Sequence, residues 1–415
     1  MSYINLTKVA APTTPAASTN ELYVDTTDNR LKQLDANGVI STMNNDGLME
    51  RNVITNGGFS IQQRVATASS AIPAISTTTR AGQVADTWAV TASTASSTNW
   101  AQIDTAAAKE AGLASRYYGS IIVAASRKVL LSHWILNADM AHLRGSKVRL
   151  SIKHNQKVGS GQTYYLGLLQ LTSAGTVDTS PAFLGSGLSA SAGVFPSWGT
   201  NLSAITPDAS PTGENGTISG SYLAVTTVAG TWTRSSCVFT VPTDAKNLVV
   251  VFFGDAAGGA ADNISVAEAQ LTMGPEIVEY IEPPQVETLL RCQRRFNKSF
   301  PLTVVPAASV TEANGGSGAT GMCGKAGATA LAANYEIKWP VQMWKVPTVT
   351  FFTPVAAGAQ VYRFSGAAAA AFSATAARAS STTDRGVVVT ATGDASGAVG
   401  DLVGVHYTAD AEIVA

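Results

Sequence analysis

Trp232-Thr-Arg-Ser-Ser-Cys-Val-Phe-Thr-Val241, Leu248-Val-Val-Val-Phe-Phe253 and Ile264-Ser-Val-Ala-Glu-Ala-Gln-Leu271 are three short segments rich in β-branched and aromatic residues, parted by turn-forming Pro, Asp, Asn and Gly. Such residues suit a pleated, half-buried surface. Their length and spacing predict an antiparallel β-sandwich, with strand-embedded Trp232 in its core. Upstream, Val148-Arg-Leu-Ser-Ile-Lys153 alternates apolar with polar residues, and Tyr164-Tyr-Leu-Gly-Leu-Leu-Gln-Leu171 is apolar enough to be partly covered on both faces. Downstream, Pro283-Pro284 introduce the best helical segment, Glu287-Thr-Leu-Leu-Arg-Cys-Gln-Arg-Arg-Phe296, with Leu289, Cys292, Arg295 and Phe296 on one side. Beyond it, Asn334-Tyr-Glu-Ile-Lys-Trp-Pro-Val341, Thr348-Val-Thr-Phe-Phe352, Gly386-Val-Val-Val-Thr-Ala-Thr392 and Leu402-Val-Gly-Val-His-Tyr-Thr-Ala409 predict a second, smaller sandwich.

The amino-terminal end reads differently. Residues 1–20 are rich in Pro, Ala, Ser and Thr and read as an extended arm or linker. Glu21–Asp25, Arg30–Leu34 and Val39–Thr42, parted by Asp/Asn/Gly turns, predict a three-stranded meander. So small a unit buries too little surface to stand alone. Residues 45–52 read as a connector.

Composition narrows the function classes. The 415 residues carry 27 basic and 28 acidic side chains, so only 13% are charged, where about 25% is usual. Ala, Gly, Ser and Thr are in excess. The normal apolar share argues against disorder, and a net charge of −1 supplies no basic stripe for nucleic acid. No heptad run points to a coiled coil, and no apolar run approaches membrane-spanning length or forms a signal peptide. Three scattered cysteines, Cys237, Cys292 and Cys323, read as buried thiols rather than a disulfide framework or zinc site.

Catalytic motifs are absent by pattern: there is neither H-E-x-x-H nor G-x-S-x-G. His133, His142, His154 and His406 lack metal-ligand spacing and read as structural. Gly316-Ser-Gly-Ala-Thr-Gly321 matches a dinucleotide fingerprint by letter, but more glycine follows where a helix should start, so it reads as a loop. Asp255 with Asp262 and Glu276 with Glu279 read as loop acids rather than a glycosidase pair. Sugar rings stack on flat apolar faces with polar groups at their edges. Trp198, in the loop-like Gly193-Val-Phe-Pro-Ser-Trp-Gly199, is the first candidate for such a contact, with Tyr222 and Trp100 beside it. The expected sites are therefore no catalytic residue, no metal, and glycan contacts at Trp198, Tyr222 and Trp100.

Three places in the chain resemble bacteriophage tail fibre and receptor-binding proteins that carry a carbohydrate-binding-module-like jelly roll. Asn52-Val-Ile-Thr-Asn-Gly-Gly-Phe-Ser-Ile-Gln-Gln-Arg64, followed by Ala85-Asp-Thr-Trp88, resembles the module's opening. Gly230-Thr-Trp-Thr-Arg234 and Val266-Ala-Glu-Ala-Gln-Leu-Thr-Met-Gly274 resemble its last strands, which run into Glu279-Tyr-Ile-Glu-Pro-Pro284 and Leu290-Arg-Cys-Gln-Arg-Arg-Phe296. Trp339-Pro-Val-Gln-Met-Trp-Lys-Val-Pro-Thr-Val-Thr350 and His406-Tyr-Thr-Ala-Asp-Ala-Glu-Ile413 resemble the β domain that follows. Leu22-Tyr-Val-Asp25, Leu31-Lys32 and Asn37-Gly-Val39 together resemble a short pattern common at the start of phage fibres.

The resemblance implies an all-β chain: an N-terminal β-meander arm over 1–50, an antiparallel jelly-roll sandwich over 51–290, and a short helix with a smaller C-terminal β-sandwich over 291–415. It implies a non-enzymatic structural tail fibre that adheres to a host cell-surface polysaccharide. The chain would be a homotrimer, bound to other tail or virion proteins through its N-terminal region. It would be made in the host cytoplasm, released by lysis and located in the virion tail, with no nucleic-acid partner and no membrane insertion. A head fibre, decoration or connecting tail protein without a receptor role is the alternative, and a depolymerase tailspike a third reading. Related modules often hold a structural calcium between an acid just after the N-G-x-F turn and acids of the final strand. Here those places hold Ser60, Ala267 and Glu268, so no cofactor is expected.

Overall fold

A computed structural model shows two compact units, residues 1–51 and 52–415. It describes residues 8–9, 13, 21–25, 31–34, 40–42, 52–64, 70–71, 81–92, 98–105, 110, 112–123, 128–158, 163–172, 184–187, 197–209, 214–225, 227, 229–254, 263–302, 304–306, 322–325, 333–352, 362–365, 368–371, 377–391 and 402–412. Residues 316–321, Asp255, Asp262 and most of the 1–20 arm lie outside the described residues.

In the first unit Glu21–Asp25, Leu31–Leu34 and Ile40–Thr42 form the expected antiparallel meander, and Lys8–Val9 adds a parallel strand against Val24 and Asp25.

The second unit opens with two facing antiparallel sheets. One runs, in spatial order, Gly216–Ser219, Tyr222–Val225, Tyr164–Leu171, Asn247–Gly254, Val129–Ile135, Trp88–Ala92 and Ala81–Gln83, with Leu202–Ile205 also paired to Tyr164–Leu171. The other runs Thr233–Thr240, Lys147–Val158, Asn263–Met273, Tyr117–Val123, Thr98–Asp104 and Ser70–Ala71. The fold is an all-β jelly-roll sandwich. Alternation decides what lies between the sheets. Leu166, Leu168, Val250 and Phe252 point inward from the first sheet to meet Leu150, Ile152, Val266 and Leu271 from the second. The odd positions Tyr165, Leu169, Val249, Val251 and Phe253 form a separate apolar cluster on the first sheet's other face. Trp232 belongs to neither. It is half-buried on the outer face of the second sheet against Tyr118, which corrects its expected core position. The strand begins at Thr233, so Trp232 precedes the register that faces inward.

The Asn52–Arg64 segment is tied down by its own polar side chains. Asn52 donates to the Ala269 carbonyl at 2.9 Å and accepts from the amides of Ile54 and Leu271 at 3.0 Å. Asn56, at φ +57°, donates to the carbonyls of Ile61 and Asp86, and its own carbonyl accepts from the Trp88 indole at 3.1 Å. Phe59 then seats 5.0 Å from Trp88 and 5.7 Å from Trp100, ring centre to ring centre. Gly57 must be glycine, because a Cβ there would lie 2.0 Å from the Ala269 carbonyl oxygen. Gly57→Ala is expected to lower stability by about 1–3 kcal/mol. The check is a denaturant midpoint; an unchanged midpoint would mean that the turn yields without cost.

The helix covers Gln285–Gln293, starting two residues earlier than expected and ending three earlier. Pro284 stands at its N-cap. Arg295 and Phe296, expected on one side of the helix, are buried beyond it, where Phe296–Lys298 pairs with the terminal strand Leu402–Asp410. That terminal strand also pairs with Met322–Lys325, Thr348–Phe352 and Tyr362–Ser365, and the last of these with Ala368–Ala371. A three-stranded sheet, Ala333–Lys338, Gly386–Ala391 and Ala377–Thr382, lies beside it. Ile337, Trp339, Val387, Val389, Val405 and Tyr407 belong to the shared core.

Candidate functional site

The candidate contact residues go to two places. Trp100 has no exposed surface; its indole donates to Gln62 at 3.0 Å inside the sandwich, so its assignment as a sugar contact is corrected to core. Its strand alternates, and Trp100 falls on the inward set, packed over Gly119. Tyr222 and Trp198 are brought together, the Trp198 indole donating to the Tyr222 hydroxyl at 2.7 Å. Both rings stand edge-on to Phe253, at 5.2 and 6.3 Å. Tyr222 is buried and Trp198 half-buried, on the outer face of the first sheet. Trp198 lies in a two-residue strand paired with Leu184 rather than in an open loop. Trp344, from the last part of the chain, packs against the same face.

An open cleft forms elsewhere. It has a volume of about 260 Å³ and is lined by Ser60, Arg116, Tyr117, Glu282, Pro283 and Gln285. Tyr117 begins its strand, and its inward-facing position falls past the end of the packed core, which leaves its ring half-exposed. The Arg116 guanidinium lies over that ring, 5.0 Å from its centre. Asp104 holds the guanidinium in a two-pronged pair, Nε to Oδ1 at 2.9 Å and Nη2 to Oδ2 at 2.7 Å. The Arg116 amide donates to Glu282 Oε2 at 2.9 Å, which ties the cleft's two walls together. Burial, and then the Asp104 carboxylate, push the Tyr117 phenol above its usual value, so it is a neutral hydroxyl at ordinary pH. A flat ring with planar donors and acceptors at its rim can stack on an apolar sugar face and bond ring hydroxyls. Tyr117 is not among the candidates Trp198, Tyr222 and Trp100, because a strand-embedded tyrosine reads as core. The signal was Arg116-Tyr117-Tyr118, where alternation sends Tyr118 to the opposite face, its hydroxyl donating to Glu110 at 2.9 Å.

The other motif residues meet in a buried ionic joint. Arg64 makes a two-pronged pair with Asp410, 346 residues away, with Nη2 to Oδ1 at 3.2 Å. Glu412 lies 3.7 Å from Arg64 and 3.9 Å from Arg295. The Gln63 amide donates to Asp86 at 3.0 Å. The Lys298 ammonium donates to the carbonyls of Gln63, Leu302 and Val304 at 2.8, 2.9 and 2.6 Å. Burial pushes Asp86 up to about 6 against the pull of Arg64, and it pushes Lys298 down to about 8. Gln-Gln-Arg, Ala-Asp-x-Trp, Cys-Gln-Arg-Arg-Phe and the terminal acids thus serve one structural junction between the sandwich and the strands after the helix.

Neither the cleft nor the joint is suited to a calcium ion. Position 60 offers a hydroxyl where the resemblance places a carboxylate. The Glu268 carboxylate already accepts the amides of Ala114 and Ser115 and meets the Lys153 ammonium at 2.8 Å. Among the described residues no group of three or more His, Cys, Asp or Glu side chains could hold a metal. Cys237 and Cys292 are free, buried thiols, pushed up chiefly by burial; the Cys323 side chain lies outside the described residues. Glu276 and Glu279 are both exposed, and Glu279 pairs with Arg234 at 2.9 Å. No described helix is long and apolar enough to cross a membrane.

No protein-family model and no curated protein matches the chain. Solved structures do. The enzymatically active domain of tailspike protein 4 of bacteriophage CBA120 aligns at 9% identity and a TM-score of 0.29, over 54% of this chain and 21% of that one. A family 61 carbohydrate-binding module in complex with beta-1,4-galactotriose aligns at 10% identity and 0.28, over 54% and 99%. A family 22 xylan-binding domain aligns at 12% identity and 0.26, over 46% and 90%.

Proposed function

We propose that the chain is a structural phage tail fibre protein that adheres, without catalysis, to a host cell-surface glycan. The observation that carries this reading is the open cleft at Tyr117, whose ring is flanked by Arg116, Glu282 and Gln285. The site has fixed donors and acceptors, held by the Asp104 pair and the Glu282 tie, so little ordering is lost on binding. In this reading three copies of the chain act together, and weak single sites combine into firm adhesion. The N-terminal unit joins other virion proteins, and the chain resides in the virion tail after lysis.

The test is a glycan array followed by adsorption to host cells. Tyr117→Ala is expected to weaken glycan binding about tenfold or more, since losing a central aromatic contact costs about 2 kcal/mol. Arg116→Ala should weaken it by a similar order. Wild-type protein that binds no glycan and does not block infection would sink the receptor role, and release of reducing sugar from host polysaccharide would overturn the non-enzymatic reading. A solution mass of one chain would refute the trimer.

A further inference from the structure

Glu268 is an unusual residue for its place. It lies in the strand Asn263–Met273 at φ +51° and is 3% exposed. The pairing with Lys147–Val158 slips there, between Ser151 opposite Gln270 and Lys153 opposite Ala267. A bulge of this kind re-aims a side chain. One carboxylate oxygen accepts the amides of Ala114 and Ser115; the other meets the Lys153 ammonium at 2.8 Å. The same ammonium donates to the Gly112 carbonyl at 2.6 Å. Gly112 is at φ +91°, a conformation that glycine adopts without strain.

We infer that Lys153 is a built-in cation: its ammonium does here what a bound calcium would do, joining a strand carboxylate to a loop carbonyl. The partners are those a hard cation takes, one carboxylate and one backbone carbonyl oxygen. Their joint effect is to fasten the 112–116 loop onto the second sheet, and that loop leads into Arg116 and Tyr117. A lysine carried by the chain needs no free ion, so the fold keeps its stability where calcium is scarce.

The test uses the full chain. Its melting midpoint is expected to be the same with millimolar calcium and with a chelator. Lys153→Met should lower the midpoint by several degrees and speed hydrogen exchange at the Ala114 and Ser115 amides about tenfold or more. Lys153→Met/Glu268→Gln, which removes both charges, should lose less than the two single changes added together. A wild-type midpoint that falls on chelation would overturn the inference, as would additive single losses or unchanged exchange at those amides. If Lys153→Met does not fold, the chelator series on the wild type and amide exchange in Glu268→Gln decide it by the same criteria. Glycan binding enters none of these readouts, so the outcome is separable from the adhesin proposal.

Discussion

Arg64→Met is expected to lower the unfolding free energy by about 2–4 kcal/mol, between the range of an exposed pair and that for removing one partner of a fully buried one. The side chain of Arg64 is 15% exposed, that of Asp410 33% and that of Glu412 4%. Burial alone would push the Asp410 carboxyl up, yet Arg64 holds it below its ordinary value. Burial likewise opposes the Arg64 charge, and Asp410 outweighs it. Each charge is therefore maintained by the other, and removing the guanidinium leaves Asp410 without its main partner and Glu412 with Arg295 at 3.9 Å. The guanidinium also lies 3.8 Å from the centre of the Phe296 ring, a contact that methionine only partly replaces. Denaturant unfolding followed by tryptophan fluorescence measures the loss. Arg64→Met/Asp410→Asn should recover part of it. A loss below about 1 kcal/mol, the surface-pair range, would show that the joint is solvated.

Acid should destabilise the fold from about pH 6.5 downward. Burial lowers His133, His154 and His406, with His154 at about 4. The sign follows from proton binding. Unfolded histidines take up a proton near 6.5, while the folded ones stay neutral. Falling pH thus favours the unfolded chain, and stability is lost between 6.5 and the folded values. For His154 the span of roughly 2.5 pH units corresponds to about 3 kcal/mol. Asp86 acts the other way. Its folded value, about 6, exceeds the ordinary 3.8, so its contribution grows as pH falls through that window. One carboxyl offsets about one histidine, and the remaining histidines set the direction. The urea midpoint should therefore fall from pH 7.5 to pH 5, and less steeply in His154→Asn. A midpoint that is flat or rises on acidification would contradict this balance.

Strand boundaries were largely legible because alternation and β-branching are local. Tyr164–Leu171 and Thr348–Phe352 fall where the residues predict, and Glu21–Asp25 does too. The helix end was less legible. Leu289 to Phe296 keeps a helical apolar spacing, but Phe296 and Asn297 pair instead with Asp410 and Ala409. Of the site, the short motifs were visible and their role was not. Gln63 and Arg64 contact Phe296, just past Cys-Gln-Arg-Arg, while Arg294 of that motif turns to Asp139 and stays 42% exposed. The contact candidates were aromatic residues, with Trp198 first for its loop-like setting. Trp100 is interior and Tyr222 is buried, while Tyr117, which begins a strand, stands at the open cleft.

The sequence by itself determined the all-β character, the sandwich spacing and the poverty of acid–base groups, since these depend on residue type and near-neighbour order. Only the tertiary structure decided which aromatic rings face outward, that Arg64 meets Asp410, and that Lys153 stands beside Glu268. Those outcomes depend on which strands are neighbours and in what register. A shift of one residue moves every side chain of a strand to the opposite face. The Glu268 bulge makes such a shift within one strand, and the contact between Lys153 and Glu268 exists only because of it.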